Sequence, residues 1–166
     1  MRLLFVLTFV ANVVLLLATL PFLPEMVASH FGAGGVADGW MPREVNAFLM
    51  VGVQVVLFAA IYFTPRLLAR TPASLISLPN REFWLAPQNR HRMTFLVSEF
   101  MCEYGAIMFV FLFLVELLAV RANLSTDGQL DERVLWIALA ILLVYSIVWT
   151  VRFFRAFKIP GRPDCS

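Results

Sequence analysis

The sequence predicts an all-α, polytopic membrane protein, a four-transmembrane-helix bundle forming one domain over residues 1–166 with both termini cytoplasmic. Three observations lead there. Four long stretches are apolar and nearly free of charge. The chain is 61% hydrophobic and 14% charged, with a mean hydropathy of +0.83, too apolar for a soluble chain of 166 residues to cover its own surface. The basic residues also alternate from side to side of the apolar stretches.

The spans read as residues 3–23, 47–63, about 95–120 and 134–151. Each is near the roughly 20 residues that a helix needs to cross about 30 Å of hydrocarbon. Continuous apolar runs fit helices and contradict the alternation of a membrane barrel, so no strands are expected. The first run resembles a signal peptide because Arg2 precedes it. Its length and the poor cleavage site at Ala18-Thr19-Leu20 predict that it is retained as a span.

Span one should end at Pro21 and Pro24. Span two should open with Pro42 as its first helical residue and stop before Pro65, since a residue preceding proline is pushed out of the helical region. Pro87 suits the first turn of a third helix that runs through Glu116, about 35 residues and on the order of 50 Å, longer than a bilayer is thick. Ser125-Thr126-Asp127-Gly128 reads as a turn and Asp131 as the N-cap of the fourth helix, giving an antiparallel hairpin of helices three and four.

Orientation comes from charge. Arg2, Arg66, Arg70, Arg81, Arg90, Arg92, Arg152, Arg155, Lys158 and Arg162 share one side, against Arg43, Arg121 and Arg133 on the other. The positive-inside rule puts the first group in the cytoplasm. Basic residues of this kind face anionic lipid, so the net charge of +2 gives no reason to expect nucleic acid. Cys102 in span three and Cys165 near the C-terminus are too far apart to form a disulfide.

Two loops carry the distinctive sequence. The outer one, residues 24–46, has four glycines in the eight residues from Gly32 to Gly39, and Trp40 suits an interfacial anchor. Gly32-Ala33-Gly34-Gly35-Val36-Ala37 matches the dinucleotide-binding pattern in letters only. That motif needs a preceding strand and a following helix, and neither is expected between two membrane helices. His30-Phe31, Gly35 and Asp38-Gly39-Trp40, set between a first and a second span, resemble a bacterial four-span membrane family of unknown function. The family is related to the N-terminal domain of SdpI-type immunity and signalling proteins. In the cytoplasmic loop, residues 64–94, the segment Ser77-Leu78-Pro79-Asn80-Arg81-Glu82-Phe83-Trp84 is similar to the corresponding segment of its members. The resemblance implies a bacterial inner membrane, and it implies no established activity.

His30 and Asp38 are the outer-loop pair suited to proton sensing or to one edge of a metal site. The more economical reading is a turn that holds the mouth of helices one and two, because two ligands are too few for a dedicated metal site. Pro79, Asn80, Arg81, Glu82 and Trp84 read as an amphipathic stretch on the inner membrane face, with Phe83 and Trp84 among the headgroups, or else as a docking surface.

Polar residues inside the spans are sharper signals, since a charge at the bilayer centre costs roughly 2.5 to 3.5 kcal/mol on the insertion scale. Glu99 and Glu103 share a helix face four residues apart. They serve either a proton or cation pathway or a structural role, Glu99 meeting Arg90 or Arg92 or reaching water, and Glu103 bonding to Asn12, Gln54, Tyr145 or Ser146. Glu116 is expected at the outer interface. Adding His91 and Cys102 to the two glutamates makes only a speculative metal set. No serine or cysteine sits with a histidine and an acid at a suitable depth, so the expectation is a protein that is not an enzyme and needs no cofactor or metal. Its expected role is accessory, regulatory or immunity-like, in contact with lipid and with a protein partner or a second copy. The alternative is a small transporter working through the carboxylates.

Overall fold

The computed structural model describes residues 1–159; Arg162 and Cys165 lie outside the described residues. Helix α1 spans Arg2–Thr19 and tightens into a 3-10 turn at Leu20–Phe22, where Pro21 sits. Next come strands β1, Met26–Phe31, and β2, Ala37–Pro42. Helix α2 is Arg43–Arg70, α3 the short Arg81–Leu85, α4 Pro87–Leu124 and α5 Glu132–Ala156. Helices α1, α2, α4 and α5 are long and apolar enough to cross a membrane.

The turn chemistry holds at most ends. Pro87 lies in the first turn of α4, where its missing N–H costs nothing. The Asp131 carboxylate accepts the Val134 N–H at 3.2 Å, capping α5. Three expectations fail. Pro42 is the residue before α2 rather than its first member. Helix α2 also continues through Pro65 to Arg70. A proline there removes one ladder bond and costs about 3 kcal/mol. Thr64 donates its hydroxyl to the Ala60 carbonyl at 2.5 Å, Arg66 lies 4.9 Å over the Tyr62 ring, and Thr71 closes the end by bonding to Leu67 O.

The third failure is the loop of residues 24–46, which contains an antiparallel pair of strands rather than turns alone. It pairs Met26 with Pro42, Val27 with Met41, Ala28 with Trp40, His30 with Gly39 and Phe31 with Ala37, with irregular register on either side of His30. Membrane-spanning strands are excluded by unpaired edges in lipid, but a short hairpin at the mouth of the bundle escapes that constraint.

Helix α4 is the central post. Helix α1 runs beside it in the same direction, with Arg2 Nη2 donating to Ser98 Oγ at 3.0 Å and Asn12 Nδ2 donating to the Phe109 carbonyl at 2.9 Å. Helices α2 and α5 run opposite to α4: Ile61 lies by Gly105 while Gln54 meets Glu116, and Trp149 Nε1 donates to the Phe100 carbonyl at 3.1 Å. Two faces result. The N-terminal face carries Met1, the loop through α3 and the end of α5; the hairpin face is opposite.

The core between α1, α2 and α4 is aromatic. Phe5 stacks on Phe58 at 4.8 Å between centroids, and Phe9 meets Phe109 at 5.4 Å. A Cβ on Gly105 would stand 2.6 Å from the Phe5 ring, so the absence of a side chain there is what lets α4 approach α1. In lipid, where apolar side chains gain little by leaving the solvent, close packing of this kind is the main adhesive between helices. By contrast, α5 buries no residue fully and packs mainly on α4.

Candidate functional site

The hairpin is fastened to the helix ends by backbone geometry that explains most of its motif. Gly35 has φ +70°, and a Cβ on it would come within 2.1 Å of the Leu130 carbonyl oxygen. Leu130 N–H donates to the Gly35 carbonyl at 2.9 Å, and Val36 forms an isolated bridge with Gln129. Gly35 is therefore the latch between the hairpin and the loop joining α4 to α5. Phe31 packs against the buried Leu118, Ala122 and Leu130 beneath it. Gly39 gives room to His30, whose Cβ would be 3.1 Å from any Cβ on residue 39.

His30 and Asp38 do meet, with Nδ1 and Oδ1 2.5 Å apart. Both side chains are mostly exposed, at 73% and 54%, so the pair pins the turn at the rim instead of sitting in a pocket. Trp40 is exposed too. The dinucleotide pattern has a strand before it, contrary to expectation, but it runs through a 3-10 turn at Ala33–Gly35 directly into β2. No helix N-terminus is present there to hold a pyrophosphate.

Asn123 is a second fastening. Its Oδ1 accepts the Ala28 N–H at 2.7 Å, and its Nδ2 donates to the Ala28 carbonyl at 3.1 Å and to Ala119 O at 2.9 Å. The side-chain amide thus stands in for a neighbouring strand on β1. Although it begins an Asn-Leu-Ser triplet, its amide is fully engaged.

On the N-terminal face the motif from Pro79 to Trp84, in the connection between α2 and α4, is a clamp. Trp84 is 1% exposed, and its Nε1 donates to the Phe157 carbonyl at 2.9 Å. Asn80, just after Pro79, adopts the left-handed conformation at φ 53° and donates Nδ2 to the same carbonyl at 3.0 Å. Phe157 is itself 0% exposed, stacked edge-on against Trp84 at 5.2 Å. The expected headgroup position of Trp84 is corrected: an indole whose N–H finds a buried carbonyl gains more by filling the core than by lying at the interface. Arg81 and Glu82 point to solvent, and Arg92 lies 5.8 Å over the Trp84 ring.

Each intramembrane carboxylate has a different partner. Glu99 Oε2 lies 3.4 Å from the N-terminal ammonium, so neither Arg90 nor Arg92 pairs with it; Arg90 donates to the Thr71 carbonyl. Glu103 takes Arg152 at 2.5 Å and the Tyr145 hydroxyl at 2.7 Å, one of the partners expected from the sequence. Glu116 is buried in the bundle. It is 8% exposed, accepts a hydrogen bond from Gln54 Nε2 and forms no ion pair among the described residues. Its Oε2, with Gln54 Oε1 and Asn12 Oδ1, accepts no hydrogen bond within the described residues. Glu116 also lines a mostly apolar cavity of about 150 Å³ between the hairpin and α1, α2 and α4.

The sequence carried a signal for that pairing. Glu116 lies eight residues from the hairpin-face end of α4 and Gln54 eleven from that end of α2, which at about 1.5 Å per residue are similar depths. Cys102 is buried beside the aromatic core, and His91 does not approach it or the glutamates in any group of three or more metal-binding side chains among the described residues.

Residues 7–55 match the model of a domain of unknown function, DUF1648. No curated protein and no solved structure matches the chain. The matched stretch holds most of α1, the whole hairpin and the first half of α2, and with four apolar helices of spanning length the chain fits a family of membrane proteins.

Proposed function

We propose that this is a non-enzymatic inner-membrane protein of bacteria, related to the N-terminal part of the SdpI-type proteins, that works as an accessory, regulatory or immunity-like subunit by binding another membrane protein. Both termini lie in the cytoplasm in this reading, with the hairpin outside. The observation that carries it is that both carboxylates are paired, Glu103 with Arg152 and the Tyr145 hydroxyl, and the partly exposed Glu99 with the N-terminal ammonium. A transport pathway through those carboxylates requires them free to exchange a proton or cation, whereas a bundle that serves as a docking body keeps them satisfied.

The α5 surface supports the same reading. Trp136, Ile137, Ile141, Val144, Ile147 and Val148 are exposed on a helix that buries nothing fully in this chain, and a partner helix packs on such a face as readily as lipid does. The test is purification of tagged protein from its native membrane in mild detergent, with mass spectrometry of what co-elutes. A stoichiometric partner that is lost when Ile137, Val144 and Val148 are changed to alanine supports docking through α5. A clean monomer that binds nothing overturns it.

A further inference from the structure

The cavity under the hairpin carries a second, independent inference. Leu16 and Leu23 come from the first helix and its turn, Val27 and Phe31 from β1, Met50 from α2 and Val115 from α4, making walls that are overwhelmingly apolar. One ionisable side chain stands among them, Glu116. It is more than nine-tenths buried, one of its oxygens is taken by Gln54 and the other, Oε2, accepts nothing among the described residues. Gln54 is itself 2% exposed, so the carboxyl is held in place from behind.

We propose that this cavity is a binding site for a small hydrophobic amine, with its ammonium on the Glu116 carboxylate and its apolar body against the leucine and valine walls. Size and chemistry both narrow the ligand. A cavity of about 150 Å³ holds a molecule on the order of six to eight non-hydrogen atoms, the scale of benzene and its simplest derivatives. A carboxyl group in an apolar pocket without a cationic neighbour selects a ligand that brings the cation, because the paired state removes the cost of an isolated charge in a low dielectric. Metal ions fit less well: Glu116 is the pocket's sole carboxylate, and the remaining polar lining is Ser29, Asn46 and Asn123, whose amide is committed to Ala28 and Ala119.

The site joins pieces that the hairpin latches depend on. Its roof is β1 and its floor is Glu116, so an occupant bridges the hairpin to the centre of the bundle.

Benzylamine, which carries its charge at neutral pH, and benzyl alcohol, nearly its neutral isostere, are the probes. Their binding to the full-length protein in detergent is measured by calorimetry and by the shift in apparent Tm. The expected result is saturable benzylamine binding, with affinity falling at least about tenfold for benzyl alcohol and for the Glu116→Gln variant, as loss of one charge-assisted hydrogen bond requires. Glu116→Gln retains an acceptor for Gln54. Should it fail to fold, Ala119→Leu, which fills the cavity and keeps the carboxyl, is expected to abolish binding. Equal binding of the amine and the alcohol, or no saturable benzylamine binding to the wild-type protein, overturns the proposal.

Discussion

Replacing Gly35 by alanine tests how the hairpin is attached, with Gly34 as its internal control. Both glycines have positive φ, +78° at Gly34 and +70° at Gly35. Each substitution incurs the left-handed penalty, about 1 to 2 kcal/mol for a residue with a Cβ. At Gly34 nothing lies within 4 Å of the new methyl group, so that penalty is the whole cost. At Gly35 the methyl would sit 2.1 Å from the Leu130 carbonyl oxygen, which is backbone and cannot rotate away. The loop must withdraw, and the Leu130 N–H bond to Gly35 O and the Val36 to Gln129 bridge go with it. Two such bonds add about 2 kcal/mol, for a total of about 3 to 4. At about 2 to 4 °C per kcal/mol, apparent Tm in detergent should fall by about 2 to 8 °C for Gly34→Ala and by about 6 to 16 °C for Gly35→Ala. Hydrogen exchange should rise across residues 26–42 and 125–131 in the second variant only. Equal losses for the two variants would refute the latch.

Asn123→Ala should cost about 1 to 3 kcal/mol, because two backbone groups of Ala28 lose their partner, and Asn123→Gln should not rescue it since the longer amide misses Ala28; thermal unfolding of both variants decides this. Trp84→Phe should keep the fold and lose about 1 kcal/mol with the indole bond to Phe157, seen as faster amide exchange at the end of α5. Ser125 holds the Asp127 carboxyl below the usual carboxylate range, outside the spans. A carboxyl lowered in the folded state adds stability above its unfolded value and loses it as pH falls through the lowered one. Ser125→Ala should therefore bring the Asp127 titration measured by NMR up toward the ordinary value.

The helices were legible because each is written locally. Apolar length, Pro87 in a first turn and Asp131 three residues before the Val134 N–H are all contained within a few positions. What the sequence hid is what depends on distant partners. Trp84 looks interfacial until Phe157, 73 residues on, supplies a carbonyl. Glu116 looks like an end residue until Gln54, 62 positions earlier, meets it. The hairpin had little local signal, because Ala37-Asp38-Gly39-Trp40-Met41-Pro42 does not alternate in polarity and four glycines nearby made turns the simpler expectation. Pro65 misled because a proline disfavours helical continuation without forbidding it, and membrane helices carry prolines in their interiors. Of the proposed sites, the His30 and Asp38 contact was readable from proximity in sequence, whereas the cavity above Glu116 is built from five separate segments and has no signature in any of them.

Whether the bundle is a docking body or a pathway is decided by isolating the tagged protein from its own membrane under mild detergent and identifying every stoichiometric companion. A docking body brings with it one defined membrane-protein partner, released when Ile137, Val144 and Val148 on α5 are changed to alanine. A lone chain that carries proton or cation flux in proteoliposomes, with the flux abolished by Glu99→Gln or Glu103→Gln, would contradict that reading.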